Sequence, residues 1–250
     1  VRVAWLVVVM ACSGPSRPRD DEPAPPPARG DAVVAAATID AAVDAAPGLI
    51  DAPPALAVVD APIKWSNERA ELTLAYRRAH SDPTAKDLGI DPHVIVLHYT
   101  GGNSAKSTRE YFDNTRIEKS RAQLARAGAV NVSSHYLVDR DGTIYKIQPE
   151  TQFARHCIGL NHIAIGIENV GENEAALTDA QVAANAALVR DLARRFKITH
   201  LLGHYEVMAF RDHAYYVELD PKYKNDKPDP GAGFMKRVRS AVADLKLSKL

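Results

Sequence analysis

Six residues constrain this chain more than any others: His93-Val94-Ile95-Val96-Leu97-His98. The run has four consecutive large apolar side chains, three of them β-branched, and no period-two alternation. A strand of that kind is buried on both faces, at the centre of a sheet covered on each side. Ala164 to Val170 (AIGIENV) reads as a second buried strand, with Ile165 and Ile167 on one face and Ala164, Gly166 and Glu168 on the other. Thr178 to Lys197 supplies covering material. It opens on a capping box, Thr178-Asp179-Ala180-Gln181, and carries Val182, Leu188, Val189, Leu192 and Phe196 at helical spacing. Phe234, Val238, Ala241 and Leu245 repeat the same period near the end of the chain. The expected architecture is α/β, a single domain with a central mixed β-sheet flanked by helices.

Between these elements the pattern is more local. Trp65 to His80 predicts a short helix. Ser107-Thr108-Arg109-Glu110 matches a capping box and predicts a helix running to Ala127-Gly128. Ser133 to Val138 and Thr143 to Ile147 flank Asp139-Arg140-Asp141-Gly142, and Asp-Gly between two β-rich runs is a hairpin signal. His135, away from the strand end, reads as structural. Ile198 to Leu202 is a short strand that delivers Gly203-His204. Residues 212–225 form a polar, tyrosine-bearing insertion whose rings either line a groove or pack a loop.

The first quarter of the chain differs in kind. Residues 1–12 (VRVAWLVVVMAC) carry one Arg and an apolar run too short to span a bilayer, as in a signal-peptide core. They end at Val9-Met10-Ala11-Cys12, which is similar to a bacterial lipobox, so Cys12 is a candidate for lipidation; an ordinary secretory signal is the alternative. Residues 13–62 are rich in Pro, Ala and Asp and poor in large apolar groups, which predicts a disordered tether. Residues 63–250 then form the folded domain. A lipidated Cys12 leaves Cys157, the only other cysteine, without a disulfide partner, and a buried apolar role suits Cys157 best. With 31 basic and 31 acidic residues the chain has no electrostatic footprint for nucleic acid or for a membrane surface.

The chemistry concentrates at strand ends and in one late stretch. His98 ends the first buried strand, beside Tyr99-Thr100-Gly101-Gly102, and alone is equally a hydrogen-bonded strand-end histidine. His204 follows Gly203, and Asp229 sits in Lys227-Pro228-Asp229-Pro230-Gly231. Two imidazoles and a carboxylate match the three-ligand count of a catalytic zinc that keeps one position open. His200 and His204 are four apart, but the strand-like sequence between them argues against a helical zinc pair. Glu168 is a carboxylate in an otherwise apolar strand, beside small residues that leave room next to it. Burial suits it to acid–base work.

The ordered set HVIVLHYT, SSHYLVDRDGTIY, FARHCIG, IAIGIENVGE, GHYEV and KPDPG resembles the zinc-dependent N-acetylmuramoyl-L-alanine amidases, the family of phage lysozyme-amidases and peptidoglycan recognition proteins, over about Pro92 to Phe234. The resemblance implies Zn²⁺ on His98, His204 and Asp229, catalytic roles for Glu168 and Lys227, and substrate binding by His156. It further implies hydrolysis of the amide joining muramic acid to L-Ala of the stem peptide, by a monomer acting on peptidoglycan or muropeptides. Some members carry a catalytic Tyr just before the hairpin His; Ser134 stands there, which leaves Glu168 as the base. A receptor that keeps the groove without hydrolysis is the other reading, and such members usually lack the third ligand. With the leader and tether, the expected location is the cell envelope, in the periplasm, anchored by lipid to the outer membrane.

Overall fold

In the computed structural model, residues 56–224 and 226–249 are described, all within a compact unit that begins at Pro53. The leader and most of the tether expected from the sequence lie outside the described residues.

The described chain begins with a two-residue strand, β1 (Val59–Asp60), then α1 (Asn67–His80), β2 (Val94–Tyr99), α2 (Ala105–Asp113) and α3 (Ala122–Ala127). The hairpin β3 (Tyr136–Val138) and β4 (Ile144–Lys146) follows, then β5 (Ala164–Asn169), α4 (Asp179–Arg195), β6 (His200–Gly203) and α5 (Ala232–Ala241). The six strands form one mixed sheet in the order β1-β4-β3-β5-β2-β6, antiparallel only between β3 and β4. The run that dominates the sequence is therefore an interior strand: Val94 to Leu97 have no exposed surface, and β5 and β6 flank them in parallel.

Alternation along β2 and β5 divides the core. Ile95, Leu97, Ile165 and Ile167 face Leu188, Val189 and Leu192 of α4 and Phe234, Met235 and Val238 of α5. Val94, Val96 and Ala164 face the other way, toward Cys157, Leu160 and Phe210. His98 continues the second face on β2, and Gly166 and Glu168 continue it on β5, away from α4 and α5. The capping box of α4 forms as the sequence indicates, Thr178 accepting from Gln181 N–H and Gln181 reaching back to Thr178 N–H. Gln181 is also fully buried, and its amide donates to Val138 O and Val170 O, tying α4 to the sheet. At the hairpin, Gly142 holds φ +89°, the left-handed conformation that makes Asp-Gly a turn.

Two expectations change. The helix predicted from Ser107 to Ala127 is two helices, and the first starts earlier, with Ser104 as N-cap accepting from Ser107 N–H. It ends because the buried Arg69 guanidinium of α1 takes the carbonyls of Phe112 and Asn114, at 2.5 and 2.7 Å. Residues 114–121 then leave the helix, and Arg116 bridges to Val130. Ordered chain also begins before Ile63. β1 lies in the stretch read as tether, pairs in parallel with β4, and receives the Arg109 side chain on the carbonyls of Ala61 and Pro62.

Candidate metal centre

Register brings the site together. β2 and β5 run parallel with His98 opposite Glu168, and β2 pairs with β6 so that Leu97 lies opposite Gly203. His204, one residue on, therefore arrives level with His98 at the carboxyl ends of three parallel strands, where open α/β sheets place their sites. Asp229 comes in from the loop before α5, and that loop is bonded to the β6 turn by Tyr205 N–H donating to Asp229 O at 2.9 Å. Glu206 fixes the turn itself. Its carboxylate accepts from Gly203 N–H and pairs with Arg239 of α5. Glu174 accepts from Phe234 N–H at 2.7 Å, capping α5 directly after the Asp229 loop.

His98, His204 and Asp229 converge with one ligand atom each within 4.8 Å of the others. The Nδ1 atoms of the two histidines are 2.9 Å apart, and Asp229 Oδ2 lies 3.2 Å from one and 3.1 Å from the other. Zn–N bonds of 2.0–2.1 Å at tetrahedral angles separate neighbouring donors by about 3.3 Å. The three donors thus sit a few tenths of an ångström inside the triangle that a tetrahedral cation spans, and an N/N/O set suits a borderline divalent ion. The residues fit a metal. Burial, with the adjacent His204, pushes His98 down to about 4, so the ring is neutral and keeps a lone pair at neutral pH. Burial alone raises the Asp229 pKa, but the two histidine rings beside its Oδ2, His204 ahead of His98, outweigh it and hold the carboxylate well below its usual range.

Glu168 stands one strand away from His98. Its Oε2 is buried without a hydrogen-bond partner. Burial pushes its pKa up to about 8, the Asp229 charge adds to the shift, and Lys227 and Arg121 oppose it. Among the described residues no arginine pairs with this carboxylate; Arg121 donates to the Tyr111 hydroxyl instead. A cleft of about 470 Å³ opens over these groups, lined among others by His98, Glu168, His204, Lys227 and Asp229. The sequence-selected metal and acid–base residues therefore share one cavity. Tyr223 of the insertion also lines it and is buried, its hydroxyl accepting from Arg155, whose other bonds go to backbone carbonyls. Tyr215 and Tyr216 pack elsewhere, Tyr215 against His213 and Tyr216 over Gly159.

His156 reaches the cleft from the loop before β5. Its ring forms part of the cleft wall, but Nδ1 lies 3.1 Å from His98 Nε2 and Nε2 lies 3.3 Å from Ala164 O, so both nitrogens are engaged within the protein. His135 is structural, as read: Gly166 N–H donates to its Nδ1, and its Nε2 faces Gln152 O. Ser134 is fully buried and donates to Tyr136 O, while its neighbour Ser133 lines the cleft. Sequence reasoning missed Asn169, whose amide donates to His98 O and whose Oδ1 accepts from Asn185. It also missed Asn161, whose Oδ1 accepts from the N–H groups of His156 and Cys157.

A family model described as N-acetylmuramoyl-L-alanine amidase (Amidase_2) matches residues 88–232, which include His98, Glu168, His204, Lys227 and Asp229. The chain belongs to this family. Among curated proteins it is similar to the endolysin of Escherichia phage T7, 28% identical over 100 residues, an alignment that spans 38% of this chain and 66% of the endolysin, just under two thirds. Among solved structures it is similar to the N-acetylmuramoyl-L-alanine amidase LysC from Clostridium intestinale URNW, with 22% identity and a TM-score of 0.47, covering 77% of this chain and 99% of that one. An AmpD structure aligns at 23% identity and TM-score 0.47, over 74% of this chain and 94% of AmpD. Family membership rests on the sequence match rather than on these alignments.

Proposed function

We propose that this amidase-family domain is a zinc-dependent hydrolase of the amide between N-acetylmuramic acid and L-alanine of peptidoglycan. The observation that carries the proposal is the convergence of His98, His204 and Asp229 in one cleft with an unpartnered Glu168 carboxyl on the neighbouring strand. His98, His204 and Asp229 would hold the zinc ion, which would supply a Lewis acid and lower the pKa of water toward neutrality. The nearby positive charge also favours the ionised form of Glu168. Glu168 takes a proton from the attacking water as the new C–O bond forms. It returns that proton to the amide nitrogen as the C–N bond breaks, leaving a carboxylic acid on the lactyl group and an amine on L-alanine, and the acid's proton then passes to the amine to give carboxylate and ammonium. Lys227, which lines the same cleft and has no hydrogen bond or ion pair among the described residues, donates to the oxygen that becomes negative during attack.

Presence of all three ligand residues favours an enzyme over a receptor on the same fold. Mass spectrometry of murein and of purified muropeptides digested by the protein, with and without chelator, tests the reading. Free L-alanine amino termini are expected to appear, to vanish with chelator and to return with zinc. Products cut at another bond, or no products from the zinc-loaded protein, overturn it. Residues 1–12 extend the proposal to an exported, lipid-anchored protein acting on the cell envelope. Labelling of Cys12 by a palmitate analogue together with membrane fractionation checks that part.

A further inference from the structure

A chain of ring nitrogens runs from the metal triad to a backbone carbonyl. His98 presents Nδ1 to His204 and Asp229, and its Nε2 points away, to His156 Nδ1 at 3.1 Å. The far nitrogen of His156 lies 3.3 Å from Ala164 O. A carbonyl oxygen only accepts, so in the neutral ring the proton belongs on His156 Nε2 and Nδ1 is a bare acceptor. His98 must then carry its proton on Nε2, and its Nδ1 lone pair is free.

The protein is built to keep the second ring there. Gly166 lies beneath it, and a Cβ at that position would stand 2.7 Å from the His156 ring. Asn161 holds the backbone of His156 and Cys157. His135, its own tautomer fixed by Gly166 N–H and Gln152 O, abuts the ring edge-on at 5.7 Å.

We propose that His156 is a positioning residue that, by accepting from His98 Nε2–H while donating to Ala164 O, holds His98 in the tautomer whose Nδ1 binds the metal. The inference rests on reading His98, His204 and Asp229 as a metal site and adds to it a determinant of affinity. Partners of this kind behind a ligating histidine typically change metal affinity 10–100-fold.

Zinc affinity is measured by chelator competition on the full chain, for the wild type, His156→Ala and His156→Asn. Alanine removes the acceptor and is expected to weaken zinc binding about 10–100-fold. Asparagine places an amide oxygen near the Nδ1 position and is expected to recover most of the loss. Unchanged affinity in folded H156A, or H156N weaker than H156A, overturns the proposal. Long-range ¹H–¹⁵N correlation on the wild type, metal-free and after zinc addition, gives a reading that needs no variant. His98 and His156 are both expected as Nε2–H tautomers, and His98 found as Nδ1–H overturns the proposal. Wild type that binds no zinc but shows both tautomers removes the hydrolase reading and leaves the hydrogen-bond relay standing. Tight zinc binding and turnover in H156A do the reverse.

Discussion

Among the described residues Glu218 also has a buried oxygen without a partner but pairs its other oxygen with His80, whereas Glu168 has a buried oxygen that nothing satisfies and no ion pair at all. A carboxyl group in that condition keeps its proton well past its ordinary value of 4.5, to about 8. In the metal-free protein it is therefore neutral at pH 7 and ionises only in mildly alkaline solution. The unfolded chain gives up this proton near 4.5, so between those two values the group lowers folded-state stability as pH rises. A divalent cation on the neighbouring triad favours the anion and moves the titration down. ¹³C NMR of the carboxyl should show a midpoint near 8 without metal and a lower one with zinc; a metal-free midpoint below 5 contradicts the burial argument. Function gives a second test of the same residue. Glu168→Gln should keep zinc affinity within a few-fold and lose about 10²–10⁴ in turnover, and Lys227→Ala should lose about 10²–10³. Loss of zinc in either variant, measured by chelator competition, would assign that residue to the metal rather than to proton transfer or charge stabilisation.

At the level of elements, β5 shows what alternation reveals and what it hides. The period-two reading of AIGIENV places Glu168 on the face with Ala164 and Gly166, and the small residues there do leave space. What fills the space, the His156 ring from a loop, has no signature in the strand. The three candidate ligands could be singled out because strand-end histidines beside glycine, and a carboxylate in a proline-flanked turn, are local patterns. Their supports could not. Asn169 reaches His98 O within the sheet, and Glu174 caps a helix 60 residues downstream; both are contacts set by tertiary packing. The early end of α2 has the same origin, since Arg69 takes its last carbonyls from α1. Gly166→Ala tests the β5 arrangement. Its methyl would meet a ring that both His98 and Ala164 hold in place. The expected cost is about 1–3 kcal/mol of stability, read from chemical denaturation, together with weaker zinc binding as the ring is displaced. A variant as stable as the wild type, with unchanged zinc affinity, would mean that the ring moves aside freely.

For the whole molecule the question is where the folded unit starts. Composition draws the line at Ile63, because residues 13–62 are poor in large apolar side chains. The sheet draws it earlier. Leu56 packs against the main core, β1 pairs with β4, and Ala61 N–H donates to Lys146 O at 2.9 Å. Arg109 of α2 spends its guanidinium on the carbonyls of Ala61 and Pro62. These contacts cover β4, the edge strand of the hairpin that would otherwise present unpaired backbone groups to solvent. Composition misses them because a two-residue strand has no periodicity, and a parallel partner nearly ninety residues away leaves no local trace. Chain trimmed to residues 53–250 should therefore retain all of this unit, while chain trimmed to 63–250 loses Leu56, β1 and both acceptors of Arg109. The shorter form is expected to be less stable by about 1–3 kcal/mol, from lost apolar burial and from hydrogen-bonding groups left without partners. Urea denaturation of the two forms measures the difference. Zinc affinity should be equal in both, since the triad lies on β2, just after β6 and in the loop before α5, on the far side of β3 and β5 from the trimmed edge. Equal stability would place the start of the folded unit at Ile63 after all, whereas unequal zinc affinity would show that the sheet edge and the metal centre are coupled.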